Sequence, residues 1–533
     1  QGTTQQPQNR KAAASNSKHH DVIIVGAGAA GLGAAHRLAL SGVTNVVILE
    51  ATSNLGGRMQ VNKGFVSYPL DLGPSYLPGR WFIRELERLA GGVTLPITNP
   101  PGASFVWQDY SYNDYFTDHI LSNDMDIRYN CVVVSVDYRS NVENGAASRV
   151  ECANGQVFWA ASHVIVTASL KILQDGDINF VPPLENSLIN HRDWWPGLKI
   201  FMEFPNKFYN NAFCPVAGSC YNNVGEELFW DGSVSAPNPD RVSNLVVGYV
   251  SGDRVQGIST QPNQVRNQLT RAFEQHFNLA SGSLQANRYL LQDWRAQFFV
   301  KGLYAGPSDR ANFGAAMVDD KVVLAGEAYP ILGEEWGWVY SAFHSGFDAA
   351  DQIFDSMVRQ KPWVGLGSNG GLETFEGDWS SRPSLWNLPS QGFDATWVRA
   401  GVDTDASLYC PNGNCIRLQD DSLSQSSLFS DPIDVTLFTS VRLSYDFYMH
   451  QFETGEAFFV EMSLGASSSG WQILEAHYHD DGLILDNAQH DKHIVIDTRT
   501  MTGPLFFRFR SHASVNADRI YLDNIFVGFL MES

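Results

Sequence analysis

The stretch Asp21–Ala51, DVIIVGAGAAGLGAAHRLALSGVTNVVILEA, decides how the first two thirds of this chain fold. An apolar strand, Asp21 to Val25, runs into Gly26, Gly28 and Gly31 in the spacing G-x-G-x-x-G, and a helical pattern comes next. The first glycine permits a tight turn, the second lets backbone approach a pyrophosphate, and the third lets helix and strand pack closely. The N-terminus of the helix then turns its free N–H groups toward phosphate. A second strand ends at Glu50, where a carboxylate can accept hydrogen bonds from a ribose hydroxyl. A glycine triplet alone is weak. Strand, glycines, helix, strand and terminal acid in one unit specify a Rossmann-type dinucleotide-binding unit.

Around this unit, 533 residues give room for two or three domains, at roughly 150 residues each. Hydrophobic residues make up 44% and aromatics 12% of the chain, enough for a sizeable core. No apolar run approaches the roughly 20 residues of a membrane span, so a soluble protein without a span is expected. The net charge of −21 argues against nucleic acid and anionic lipid as partners and favours a cationic small molecule. Six cysteines do not make a small disulfide scaffold. Cys214 with Cys220 and Cys410 with Cys415 bracket short loops that either close as local disulfides or hold four unrelated thiols. If paired, they imply an oxidising compartment. The chain starts at Gln1 rather than Met, which suggests a removed leader or numbering from a mature end, and a secreted protein is expected. No N-x-S/T acceptor supports secretion.

Residues 1–19 are polar and aperiodic and are expected to be disordered. From 20 to 360, strand runs alternate with helical patterns, which is α/β architecture. The Gly-rich segment 361–374 reads as a linker. Residues 375–533 hold short β-rich runs such as SVRLSYDFYMH and LFFRFRSH, the pattern of an all-β sandwich. Residues 371–533 carry 23 acidic and 9 Lys or Arg side chains, so this third holds most of the negative charge.

The residues just after Glu50 separate one dinucleotide from another. EATSNLGGRM, with Gly56, Gly57 and Arg58, resembles the E-A-x-x-x-x-G-G-R element of the flavin amine oxidases. That family includes monoamine, polyamine and L-amino-acid oxidases and histone demethylases. The resemblance continues in order. LDLGPSYL, with Asp71, Gly73, Pro74, Ser75 and Tyr76, is similar to the family's segment beside the flavin, and IRYNCVVVSVDY places Val133 at the adenine end. HVIVTASLKILQDGDINFVPPL resembles the polyamine-oxidase stretch that leads back to the flavin. KVVLAGEAYPILGEEWGWVYSAFHSGFDAADQIF is similar to the closing signature. There Glu327 would reach the ribityl or pyrophosphate region, the helix from Val339 onward would aim its N-terminus at the isoalloxazine, and Gly326 and Trp338 would also contact the cofactor. The resemblance covers about Asp21 to Phe354 and implies FAD. No cysteine lies in the closing signature, so the FAD is expected to be non-covalent.

Within LKIFMEFPNKFY, Lys199 sits in a pattern that spells a buried strand. A buried ammonium costs several kcal/mol unless paired or employed. The strand resembles the one carrying the family's active-site lysine, which implies that Lys199 assists proton movement at the flavin; otherwise it is an edge lysine that reaches out to water. Tyr304 and Trp338 match the family's two aromatic walls, with simple buried packing as the alternative for either, and Trp294 matches a further tryptophan. The substrate region, around 77–126 and 190–295, is short compared with polyamine oxidases, so an α/β FAD-binding domain with a reduced α+β substrate domain is expected. Pro78 stands where plant polyamine oxidases have an acid, and Ser341 replaces a glycine of the signature. Glu334 and Glu335 either supply replacement carboxylates for a cationic amine or form a solvated acidic turn.

The C-terminal region loosely resembles extracellular jelly-roll modules of the MAM and galactose-binding type, which bind glycan or protein. Asp480, Asp481 and Asp486 would suit Ca2+ there or form a charged loop; no metal is expected in the oxidase portion. The reading favoured by the whole sequence is an FAD-dependent oxidase of a primary or secondary amine, a polyamine or an exposed lysyl group, with O2 as acceptor. Two others stand beside it: an FAD-containing extracellular binding or structural protein without turnover, and an L-amino-acid oxidase, for which Arg295 is the candidate carboxylate partner.

Overall fold

The computed structural model of the protein describes residues 18–98, 105–122, 125–139, 146–208, 227–237, 244–308, 314–331 and 334–359 of the first two thirds. Beyond them it describes 364–365, 372–373, 386–387, 395–398, 415–419, 427–436, 438–452, 456–465, 470–478, 489–499, 501–512 and 519–530. Two compact units result, residues 1–354 and 355–533.

The first strand, β1 (His19–Val25), precedes the helix α1 (Ala29–Leu40), after which the chain forms β2 (Val46–Leu49). β1 begins two residues before Asp21, because His19 pairs in register with Trp159 and its ring stacks on that indole at 4.9 Å. His19 thus leaves the segment 1–19 expected to be disordered; residues 1–17 lie outside the described part. β1 is parallel to β2 on one side and to the strand Val157–Val166 on the other. That strand's other flank pairs with Ser148–Cys152 (antiparallel) and then Val322–Leu324 (parallel). The strands Val133–Asp137, Asn179–Val181, Asp126–Arg128 and Ala316–Val318 complete the nine-stranded sheet. Val22, Ile23 and Ile24 are wholly buried, as a central parallel strand covered on both faces requires.

Cys131 and Cys152 form a disulfide with Cα atoms 5.4 Å apart. Sequence spacing did not pair them; the two lie far apart along the chain and meet because the strand after one and the strand ending at the other are neighbours. Closing the 21-residue separation restrains the unfolded chain by about 3 kcal/mol in the chain-entropy account. Cys415 is also disulfide-bonded; Cys214, Cys220 and Cys410 lie outside the described residues.

A second sheet of the first unit is antiparallel, in the order Glu227–Asp231, Asn244–Ser251, Gly197–Phe204, Arg288–Asp293. Strand alternation divides its third member. Leu198, Ile200, Met202 and Phe204 face the helix Pro262–His276, meeting Val265, Leu269 and Phe273. Each such fully buried side chain contributes about 1.5–3 kcal/mol. Phe201 faces the opposite side, with Tyr68, Leu70, Val247 and Trp294. The region 76–126, expected to be short, holds the helix Arg80–Leu89, a three-stranded sheet led by Tyr76–Leu77, and a short helix Tyr112–Tyr115 that passes into a π-helical turn.

The second unit has two antiparallel sheets that share one core, with Leu443, Phe447, Leu522 and Val527 from one and Phe458, Leu505, Phe507 and Phe509 from the other. The segment 361–374, expected to be a linker, contributes two strands. Val364–Gly365 and Leu372–Glu373 pair with Arg519–Leu530, because main-chain hydrogen bonds satisfy that strand's flank whatever the side chains.

Candidate active site

The glycine fingerprint has the geometry that its spacing demands. Gly26 has φ +103°, and a Cβ on Gly31 would stand 1.9 Å from the Gly26 carbonyl oxygen, so only glycine lets the helix approach. A Cβ on Gly28 would meet open space. That space belongs to a cavity of about 2170 Å³, whose wall includes Gly26, Gly28, Glu50, Gly57 and Arg58. Gly31 acts behind the wall.

Glu50 stands at the end of β2 with 6% of its surface exposed. Its carboxylate accepts from the Ala27 amide (2.9 Å), the Thr52 amide (2.9 Å) and the Thr52 hydroxyl (2.8 Å). Those donors hold it fixed at the rim. Arg58 donates through Nη1 to Glu327 Oε1 and to the Leu303 carbonyl, each at 2.8 Å, and its guanidinium lies 5.0 Å over the Trp194 ring. Glu327 also accepts from the amides of Ala305 and Gly337, both at 3.1 Å. The two groups expected to meet a cofactor separately are therefore an ion pair. Gly73, Pro74, Ser75, Tyr76, Val133, Gly326, Trp338 and Val339 line the same cavity. The Gly326 amide is held by the Ser345 hydroxyl at 3.0 Å. A turn that only glycine can make, an open approach at Gly28, an acid at the ribose position and a long cavity reaching to a helix start together fit FAD.

Lys199 is 2% exposed and stands on an interior strand, between Asn244–Ser251 and Arg288–Asp293, which rules out the edge-strand reading. Its Nζ donates to the Asp71 carbonyl (3.0 Å), the Ser75 hydroxyl (2.7 Å) and the Gly73 carbonyl. The ammonium also lies 5.4 Å over the Trp230 ring. Burial pushes the Lys199 pKa down toward neutrality, against the Asp71 carboxylate. Burial pushes the Asp71 carboxyl up, against Lys199 and reinforced by Asp114. In both groups burial disfavours the charged form and the opposite charge of the other favours it, so their protonation states are linked.

Aromatic side chains surround this end of the cavity. Tyr304 pairs in register with Trp195, and their rings are 5.6 Å apart. Trp338 stands just before the helix Val339–Arg359 and donates its indole N–H to Glu335 at 3.2 Å. Trp294 lines the cavity yet is fully buried and donates to the Leu72 carbonyl at 3.2 Å, so it supports the Gly73 segment. Trp230 and Tyr249 share the wall and were not found from sequence; Tyr249 is the register partner of Lys199, a relation that strand pairing alone discloses. Burial holds the phenols of Tyr76 and Tyr249 above their ordinary pKa, so both stay neutral.

Two expectations change. Glu334 is neither a substrate carboxylate nor a solvated turn: it is 8% exposed and hydrogen-bonded to His344. Arg295 cannot meet a substrate carboxylate, because Asp293 and the carbonyls of Val255, Ile258 and Ser259 take its guanidinium. Ser341 is fully buried and spends its hydroxyl on the Trp338 carbonyl at 3.0 Å. Asp480, Asp481 and Asp486 lie outside the described residues. Among the described residues no group of three or more His, Cys, Asp or Glu side chains is placed to hold a metal ion, and no helix is long and apolar enough to cross a membrane.

The sequence model of flavin containing amine oxidoreductases matches residues 114–354, and that of the NAD(P)-binding Rossmann-like domain matches residues 24–88. The chain is 45% identical over 58 residues to polyamine oxidase 1 of Zea mays, 11% of each chain. It is 46% identical over 79 residues to the L-amino-acid oxidase of Notechis scutatus scutatus, 14% of this chain and 15% of that one. These alignments thus span about a seventh or less of the curated relatives' length. A solved structure of putrescine oxidase bound to putrescine aligns with 63% of this chain and 99% of its own, at 14% identity and a TM-score of 0.47. The sequence matches support the flavin amine oxidase family.

Proposed function

We propose that the chain is an FAD-dependent amine oxidase: it converts a primary or secondary amine and O2 to an imine, which hydrolyses to an aldehyde, and to H2O2. The observation that carries this reading is Lys199, buried on an interior strand in the wall of the cavity that holds the dinucleotide fingerprint, with Tyr304 and Trp338 in the same wall. FAD, when bound, supplies the acceptor for the amine's hydride and the reactivity toward O2. The chain supplies the rest. Tyr304 and Trp338 orient a neutral amine between apolar faces, and the surrounding aromatics exclude water. Lys199 holds or releases a proton at Nζ, with its pKa lowered by burial so that either state is accessible near neutrality. The amine partner would be cationic in bulk solution, and the chain's charge of −21 favours its approach.

The held state of Arg295 weighs against an L-amino-acid oxidase. Non-covalent FAD agrees with a closing signature free of cysteine. The Cys131–Cys152 disulfide favours an oxidising, extracellular setting. The second unit we read as a jelly-roll module for glycan or protein.

Anaerobic titration of the yellow protein with spermine, spermidine and a lysyl peptide tests the proposal. Bleaching of the oxidised-flavin band by an amine is the expected result. A spectrum that dithionite bleaches but none of a broad amine panel changes would favour FAD as a structural element in a binding protein.

A further inference from the structure

Behind the cavity wall lies a buried charge chain that the proposed chemistry does not use. His344, on the helix Val339–Arg359, has its Nε2 2.8 Å from Glu85 Oε2 and its Nδ1 hydrogen-bonded to Glu334 Oε1. The side chains of His344 and Glu85 are 0% exposed and that of Glu334 is 5% exposed. A neutral imidazole donates from one nitrogen only, so two carboxylates facing both nitrogens call for an imidazolium or for a proton on one carboxyl. Burial alone would lower the His344 pKa, but Glu85 and Glu334 raise it to about 10. A well-packed apolar trio would hold the fold as well. Buried ion networks are best attested as devices that fix one arrangement among several.

The three residues come from separate segments that converge on the aromatic wall. Glu334 opens the turn that carries Trp336, Gly337 and Trp338, all in the cavity lining. The Trp338 ring lies 5.9 Å from that of Tyr340, and Tyr340 meets Trp81 edge-on at 5.1 Å, on the same helix as Glu85. The wall is therefore tied to the network twice, through its turn and through its ring contacts.

We infer that His344 is a positioning residue for Trp338: by bridging Glu85 and Glu334 it sets the angle of this indole at the substrate end of the cavity. The kinetic part of the test rests on the amine oxidase reading; the spectroscopic part does not. The holoprotein is labelled with 5-fluorotryptophan, and the Trp338 19F resonance is the one lost in Trp338→Phe. His344→Gln is expected to keep the oxidised-FAD spectrum, to shift or broaden that resonance, and to lower kcat/KM for the best amine by about 10-fold. In the Trp338→Phe background the same substitution is expected to cost less than about 2-fold. An unmoved Trp338 resonance, or equal losses in both backgrounds, overturns the inference. If His344→Gln does not fold, Glu334→Gln, which keeps shape and a hydrogen bond, takes its place: a moved Trp338 resonance supports the inference and an unmoved one overturns it. If the wild type turns over no amine, the amine oxidase reading fails, and the resonance still decides the role of His344.

Discussion

At the scale of single residues, position within the fold fixes what a side chain can do. Lys199 cannot swing to solvent, since strands flank it on both sides and three oxygens hold its ammonium. Lys199→Met should therefore leave FAD bound while slowing reoxidation of the reduced protein by at least about 10-fold; stopped-flow mixing with O2 measures this, and an unchanged rate removes the role. Gly28 and Gly31 separate binding from folding. Gly28→Ala puts a methyl into open cavity, so stability should change by less than about 0.5 kcal/mol while FAD affinity falls. Gly31→Ala forces a methyl onto the Gly26 carbonyl oxygen, which should cost about 1–3 kcal/mol. Urea unfolding of the apo and FAD-loaded forms distinguishes the two. That Gly26, Gly28, Arg58, Lys199, Tyr304 and Trp338 would line one cavity was legible because their motifs are local. Trp230, Tyr249 and the His344 bridge were not, because each depends on which strand or helix lies opposite.

At the scale of elements, alternation did most of the placing. The strand Gly197–Phe204 reads as almost uniformly apolar, and its period of two sends Leu198, Ile200 and Met202 to the helix and Lys199 to the cavity side. The linker reading of 361–374 failed for a related reason: glycine content speaks of side chains, whereas Val364–Gly365 and Leu372–Glu373 pair through main chain. The bridge between helices Arg80–Leu89 and Val339–Arg359 makes a prediction about pH. The folded-state pKa of His344, raised to about 10, lies above the unfolded value of about 6.5. Its contribution to stability is complete below the unfolded value and is lost as pH rises through the folded one. Burial raises the Glu334 carboxyl from an acidic starting point, and Tyr340, raised to about 12, titrates above this window. The stability advantage of wild type over His344→Gln should therefore shrink between about pH 7 and about pH 9.5 in urea titrations; a constant difference would place the proton elsewhere.

At the scale of the whole molecule, the chain is two compact units, with the dinucleotide cavity inside the first. The cavity draws on residues from His20 to Ala342, so FAD binds the folded first unit and not its unfolded chain. Saturation at about 100 times Kd should stabilise it by about 2.7 kcal/mol. Calorimetry of apo and loaded protein should show the first unit's transition rising while the second stays fixed; a rise of both would mean that they unfold as one. The α/β character of the first unit and the β-rich character of the second were legible from periodicity and composition. The order of strands within each sheet was not, because pairing partners lie far apart in sequence.

The strand Arg519–Leu530 pairs with Val364–Gly365, Leu372–Glu373, Cys415–Gln419 and Ser440–His450, all of which precede it. During synthesis these four wait, edges exposed, for the segment that leaves the ribosome after them. The larger sheet of the second unit therefore cannot be completed until that segment has emerged. A stop codon before Arg519 would strand four partners at once, and a chaperone shielding those edges would be needed longest for this sheet.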